Sequence, residues 1–230
     1  MSMSLWSAFC YRLCRYVLIG PALWLLGRPE VKGREHLPRR GPYIVAANHL
    51  AVLDSFYLTR ALRRQVFFLA KSDYFDRPGL MGLAQRWFFR GVGQIRVDRR
   101  GGPGATPALT AAIGIIERGG VWGIHPEGTR SPDGRLYRGH TGAVRVAMAT
   151  GVPLFPVAIT GTRSDPGRPW WRRRVTVEIL PALDMARYGA AGHGARRATD
   201  ALMRTLADRT GQQYVDEYAR RHRPEHDLAA

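Results

Sequence analysis

The sequence predicts an α/β fold: a mostly parallel sheet flanked by helices, preceded by a short N-terminal helical segment at a membrane interface. Three observations predict it. From residue 41 to about 180, apolar runs of strand length alternate with helix-like stretches, the pattern of a parallel sheet built from strand–helix units. The 230 residues suit one large domain with a sizeable core. Residues 4 to 27 differ from both, being apolar and aromatic but broken by Arg12 and Arg15.

That opening stretch, "SLWSAFCYRLCRYVLIGPALWLLG", has its longest uncharged run from Tyr16 to Gly27. This falls short of the roughly 18 residues a spanning helix needs, and Pro21 adds a kink. Trp6, Tyr11, Tyr16 and Trp24 are types that settle at headgroup depth, so one or two short helices lying in the interface are expected. Packing on the domain's own core competes with this reading. A signal peptide would need a small-residue cleavage site, which "GRPEVKG" does not supply. Cys10 and Cys14 lie four apart on one expected helix, a poor arrangement for a disulfide and too few ligands for zinc. Reduced cysteines suit a cytosolic side, and no lipidation motif surrounds them.

The strands expected in order are "PYIVAA", "QVFFLA", "GQIRV", "GVWGIH", "PLFPVAI" and "RVTVEIL". Between them the helix-like stretches are Asp54–Leu62, Pro78–Phe89, Pro107–Glu117 and Gly142–Ala149. "RRGGPGATP" lacks the Gly-Lys-Ser/Thr ending of a phosphate-binding loop and reads as a connector. A last helix is expected from about Ala195 to Tyr218, before a polar end. The organisation is therefore interfacial helices over 1–28, an α/β domain over 29–220 and a polar tail over 221–230.

Lys plus Arg total 35 against 18 acidic residues, a formal +17. Such a field attracts nucleic acid, an anionic membrane surface or phosphorylated substrates. Only Lys32 and Lys71 are lysines, so codon bias toward Arg is an alternative source of the excess. No zinc-finger spacing, basic region before heptads or aromatic RNP-like strand is present, so no nucleic-acid partner is expected.

Sites in parallel sheets collect at the carboxyl ends of strands, where His49 and Glu127 fall. In "VAANHLAVLDSFYL" His49 precedes Asp54 by five residues. On one helix these would point about 140° apart. They meet only if His49 lies in the turn after the strand and Asp54 on the next helix's first turn. Asp54 would then fix the tautomer and leave the other ring nitrogen as a base. A satisfied structural histidine remains the alternative. Ser55 adjoins the pair, but no Gly-x-Ser-x-Gly elbow exists. In "GIHPEGTRSPDGR", Gly128 permits close backbone approach and Arg130 offers a fork for phosphate or carboxylate. Glu127 could anchor a hydroxyl or hold Arg130; a bare turn with a solvated ion pair is the alternative. "GQIRVDRR" delivers Arg96, Arg99 and Arg100 near one strand edge.

Taken together, these segments resemble the glycerolipid acyltransferases typified by 1-acyl-glycerol-3-phosphate acyltransferase. "NHLAVLD" looks like their NHx4D motif, "GQIRVDR" like the second motif and "PEGTRS" like the third. "VPLFPVAI" resembles the fourth, and Lys71 in "LAKSD" also fits. All four occur in the family's order between residues 45 and 159. Two departures concern acceptor identity: Arg96 replaces an apolar residue, and Arg138 and His140 stand where lysine is common.

The resemblance implies transfer of an acyl group from acyl-CoA or acyl carrier protein to the hydroxyl of a lysolipid, with 1-acyl-glycerol-3-phosphate as the expected acceptor. His49 with Asp54 would form the catalytic pair. Arg99 and Arg130 would hold phosphate, Glu127 the glycerol or Arg130, with Lys71 and Arg138 also lining the acceptor site. Amides near Gly128 and Thr129 would face the oxyanion. No metal and no cofactor is expected beyond the thioester substrate. An anionic membrane surface on the cytoplasmic face is the expected location, with the protein peripheral or monotopic. Relatives acylating another lipid or alcohol, a thioesterase-like hydrolase and a non-catalytic lipid-binding module are the alternatives.

Overall fold

The computed structural model describes residues 11–71, 79, 82, 83, 94–97, 106–163, 174–189 and 193–220. The main sheet is made of β1 (Glu30–Lys32), β2 (Tyr43–Ala47), β3 (Val66–Lys71), β4 (Gln94–Val97), β5 (Val121–Ile124), β7 (Leu154–Thr160) and β8 (Thr176–Ile179), with β6 (Leu136–Tyr137) set apart. Their spatial order is β1-β8-β7-β2-β5-β3-β4. The five from β7 to β4 run parallel, with Tyr43 opposite Val121 and Ile44 opposite Leu154. β8 turns antiparallel to β7, and β1 runs parallel to β8. The mostly parallel sheet is thus present as expected.

Every residue of β2 is buried, as a central parallel strand covered on both faces requires. Alternation divides its side chains between two cores. Tyr43, Val45 and Ala47 pack with Tyr57, Leu58 and Ala61 of α2 (Asp54–Ala61). Ile44 and Ala46 pack on the other face with Ile115, Val144 and Leu202. These come from α3 (Thr106–Glu117), α4 (Gly142–Thr150) and α5 (Gly194–Thr210). Gly123 lets β5 pass close to β3, since a Cβ there would lie 2.6 Å from Val66 and 2.7 Å from Phe68.

The N-terminal helical stretch runs from Tyr11, through π-helix Cys14–Ile19, into α1 (Gly20–Gly27). A Cβ on Gly20 would sit 2.6 Å from the Arg15 carbonyl, and Pro21 offers no N–H, so glycine and proline mark where the wider turn ends. Tyr11 and Leu23 are buried, and Tyr57 donates to the Leu23 carbonyl at 3.2 Å. The opposite side exposes Tyr16, Val17, Trp24 and Leu25, each more than half accessible. The helix therefore packs one face on the domain and leaves an apolar, aromatic face uncovered. Among the described residues no helix is long and apolar enough to cross a membrane.

Two expectations need correction or limits. The last helix stops at Thr210 rather than Tyr218. Gly211, at φ +69°, donates to the Ala207 carbonyl at 2.8 Å, a left-handed cap that ends the helix. The chain then forms β9 (Tyr214–Val215), paired with β6. Of the stretch Pro78–Phe89, only Gly79, Gly82 and Leu83 are described, all helical. The tail 221–230, Cys10 and Arg99 lie outside the described residues, as do the side chains of Lys71 and Arg96.

Candidate functional site

The loop after β2 and the loop after β5 meet at the carboxyl edge of the sheet. Asn48 is fully buried and its side chain imitates a strand pair. Its Oδ1 accepts from the Ile159 amide at 2.8 Å, and its Nδ2 donates to the Ile159 carbonyl at 2.9 Å. Nδ2 also reaches Gln212 Oε1 at 2.8 Å. The loop that follows β2 is thereby tied to β7 before His49 leaves the sheet.

His49 Nδ1 lies 2.9 Å from Asp54 Oδ2. The same oxygen accepts from the Leu50 and Ala51 amides at 2.5 and 2.7 Å. A helix beginning at Asp54 and an intervening turn bring the five-residue spacing into contact. Asp54 has no exposed surface. Burial pushes its pKa up, but bonds from His49 and Ala51, with help from the Thr162 hydroxyl, outweigh that and hold it below the ordinary value. The Thr162 contribution is an approach rather than a directed bond, because Asp54 Oδ1 and Thr162 Oγ1 both lack a partner of hydrogen-bonding geometry. An ionised Asp54 places the His49 proton on Nδ1 and leaves Nε2 as an acceptor. The His49 side chain is 17% exposed, enough to meet a ligand.

His125, not anticipated from the sequence as part of the site, stacks on His49 with ring centroids 3.9 Å apart and planes 11° apart. Its Nδ1 faces the carbonyls of Ala47 and Asn48 at 3.0 and 3.1 Å. Two acceptors there require the proton on Nδ1, so Nε2 accepts from Ser55 Oγ at 3.0 Å. Burial, then the neighbouring His49, pushes the His125 pKa down to about 3. It is a neutral, tautomer-fixed plate beneath His49. The sequence signal was a histidine at the end of β5, at the same sheet edge as His49.

Glu127 is 1% exposed. Its Oε1 accepts from the His49 amide at 2.8 Å and its Oε2 from the Tyr137 amide at 3.1 Å. The expectation that it holds Arg130 is corrected: Arg130 is exposed and forms no hydrogen bond or ion pair with a described residue. A carboxylate with both oxygens bonded to backbone amides is a brace. Burial raises its pKa to about 7, with the two amides pulling down and Asp54 adding a small upward push. Ser131 completes the clamp, donating from its amide to the His49 carbonyl at 2.8 Å.

Gly128 has φ +73°, and a Cβ there would lie 3.0 Å from His140. Its amide donates to the His125 carbonyl at 3.0 Å, so it is not free for an oxyanion. The Thr129 amide has no backbone acceptor among the described residues. Arg138, expected to line the acceptor site, faces Asp216 at 3.6 Å and stacks over Tyr218. Beside it His140 stacks on the same tyrosine at 4.5 Å. The segment after α5 therefore draws these two side chains. Among the described residues no three His, Cys, Asp or Glu side chains converge as metal ligands.

A sequence model described as Acyltransferase matches residues 28–160. The chain is 30% identical over 174 residues to a 1-acyl-sn-glycerol-3-phosphate acyltransferase of Limnanthes alba, covering 74% of this chain and 59% of that protein. A protein of the same name from Borreliella burgdorferi is 29% identical over 62% of this chain and 56% of its own length. The chain thus spans little more than half the length of these relatives. The crystal structure of the 1-acyl-sn-glycerophosphate (LPA) acyltransferase PlsC from Thermotoga maritima superposes with a TM-score of 0.63 at 25% identity, covering 88% of this chain and 78% of that one.

Proposed function

The chain belongs to the acyltransferase family, and on that premise we propose that it moves an acyl group from a thioester to the free hydroxyl of 1-acyl-glycerol-3-phosphate, giving phosphatidic acid. The bond between His49 and the buried Asp54 carries this reading. His49 Nε2 takes the proton of the acceptor hydroxyl as its oxygen attacks the thioester carbonyl. The tetrahedral oxyanion then collapses, the C–S bond breaks, and the thiolate leaves with the proton from His49. Asp54 steadies the imidazolium between these steps.

The Thr129 amide is the candidate donor to the oxyanion. Arg130, exposed in the loop after β5, is proposed to hold the acceptor phosphate; Arg99 and Lys71 are proposed for the same task. Glu127 acts at one remove by fixing the His49 backbone. The donor is acyl-CoA or acyl carrier protein. Ser55 is disfavoured as an acyl-bearing nucleophile, because its half-buried histidine partner is held neutral and is too weak a base. That weighs against a thioesterase.

The uncovered face with Tyr16, Val17, Trp24 and Leu25 is proposed to lie in an anionic bilayer, from which both lipid substrates arrive. The cytoplasmic face of the cell membrane is the proposed location. Thiol release from acyl-CoA, measured with and without lysophosphatidate, tests the reaction. Release that requires lysophosphatidate supports it. Acceptor-independent release would indicate a hydrolase, and none with either thioester donor a binding protein.

A further inference from the structure

The edge of the sheet opposite the site holds a second feature that the proposed reaction does not use. A cavity of about 350 Å³ is lined by Arg34, Arg39, Arg63 and Arg64, with Tyr43 and Leu37 among its walls. Tyr43 opens β2 and His49 follows its end, a separation of about 20 Å at roughly 3.3 Å per residue. The cavity is therefore not the acceptor site.

Part of its arginine surface serves the fold. Arg34 Nε donates to the Ala61 carbonyl at 2.7 Å, and Arg64 to the Gly119 carbonyl at 2.6 Å and to that of Gly41. Arg15 donates to the carbonyls of Arg60, at 3.2 Å, and Leu62. Arg15 and Arg34 thus complement the negative end of α2. These bonds leave donors unused on each five-donor guanidinium. Arg39 and Arg63 are exposed and have no hydrogen bond or ion pair with a described residue. None of the lining residues is acidic. Burial, then the charges of Arg60, Arg15 and Arg63, depresses the Arg34 pKa, a sign of crowded cations.

Forked donors without a carboxylate suit a tetrahedral phosphate oxyanion. The neighbourhood says what carries it. Arg15, bonded to the same end of α2, belongs to the helix that exposes Tyr16, Val17, Trp24 and Leu25, and its guanidinium lies 5.2 Å from the Tyr16 ring centroid. A soluble phosphate needs no apolar neighbour, whereas a lipid phosphate arrives with one. We propose that the arginine cavity at the amino edge of the sheet binds the phosphate group of an anionic membrane lipid. This deepens the membrane-facing part of the proposed function and is independent of the acyl-transfer step.

The test compares the full chain with an Arg39→Gln, Arg63→Gln double variant, which breaks no described bond. Binding is measured at fixed ionic strength to phosphatidylcholine vesicles doped with phosphatidylglycerol, and to charge-matched vesicles doped with oleate. The variant should lose about twenty-five-fold on the phosphatidylglycerol vesicles, about fivefold per cation, and distinctly less on oleate. Equal binding by both proteins, or equal loss on both vesicle types, overturns the pocket. So does protection of only the wild type by inorganic phosphate while vesicle binding is unchanged, which would mark a soluble-phosphate site. A wild type that binds through the cavity yet transfers no acyl group would sink the catalytic reading alone.

Discussion

At the carboxyl edge of β2 and β5, two buried carboxylates accept four backbone amides between them and hold one histidine. At the amino edge of the same strands, arginines donate to backbone carbonyls and no carboxylate among the described residues meets them. The chemistry of the chain is split in the same way. Where acids are buried, each is bonded to amides and fixes the backbone, because an unpaired buried charge would be too costly. Where arginines gather, some donors tie backbone carbonyls, and the exposed heads of Arg39 and Arg63 leave a positive field beside them. The first edge suits positioning of reacting atoms, and the second suits attraction of an anion.

The first way to test that division is at Asp54. Asp54→Asn leaves the shape but removes the charge that fixes the His49 tautomer, so kcat should fall on the order of 10³-fold with an unchanged circular dichroism spectrum. A loss under about tenfold would mean that the carboxylate only shapes the turn.

Glu127 comes next, with an effect on stability. Its pKa rises from an ordinary 4.5 to about 7 in the fold. The folded state therefore holds the proton more tightly than the unfolded chain. This contribution is full below about pH 4.5 and lost as pH rises through 7, up to about 3 kcal/mol. Glu127→Gln removes the dependence, so the stability of the wild type relative to the variant should decline over that window in denaturant titrations. A flat difference would show that Glu127 titrates in the fold as it does in the unfolded chain.

His125 should give the smallest change. His125→Ala removes the plate beneath His49 and should lower kcat about tenfold, the order expected for a loosened base. His125→Phe keeps a ring there and should recover most of it. If Ala and Phe behave alike, the stack has no positioning role.

The sheet was legible because its strands are apolar runs bounded by turn residues, and all six expected strands form. β1, β6 and β9 are two or three residues long, too short to show a period. The helical pattern continues toward Tyr218, but the left-handed cap at Gly211 ends the helix first. At the site, the contact between His49 and Asp54 could be anticipated from a strand, a turn and a helix in series. The Glu127 brace could not, since its partners are backbone amides brought by the register of β2 against β5 and by the approach of Tyr137. The same register, Ala46 opposite Ile124, sets His125 against His49. An attractive side-chain pairing, Glu127 with Arg130, lost to bonds that no sequence pattern encodes.

The most direct test is His49→Ala, assayed for thiol release from acyl-CoA in the presence of lysophosphatidate and checked for an unchanged melting temperature. Acceptor-dependent release should vanish in a folded protein. Near-normal transfer by that variant would contradict the assignment of His49 as the base.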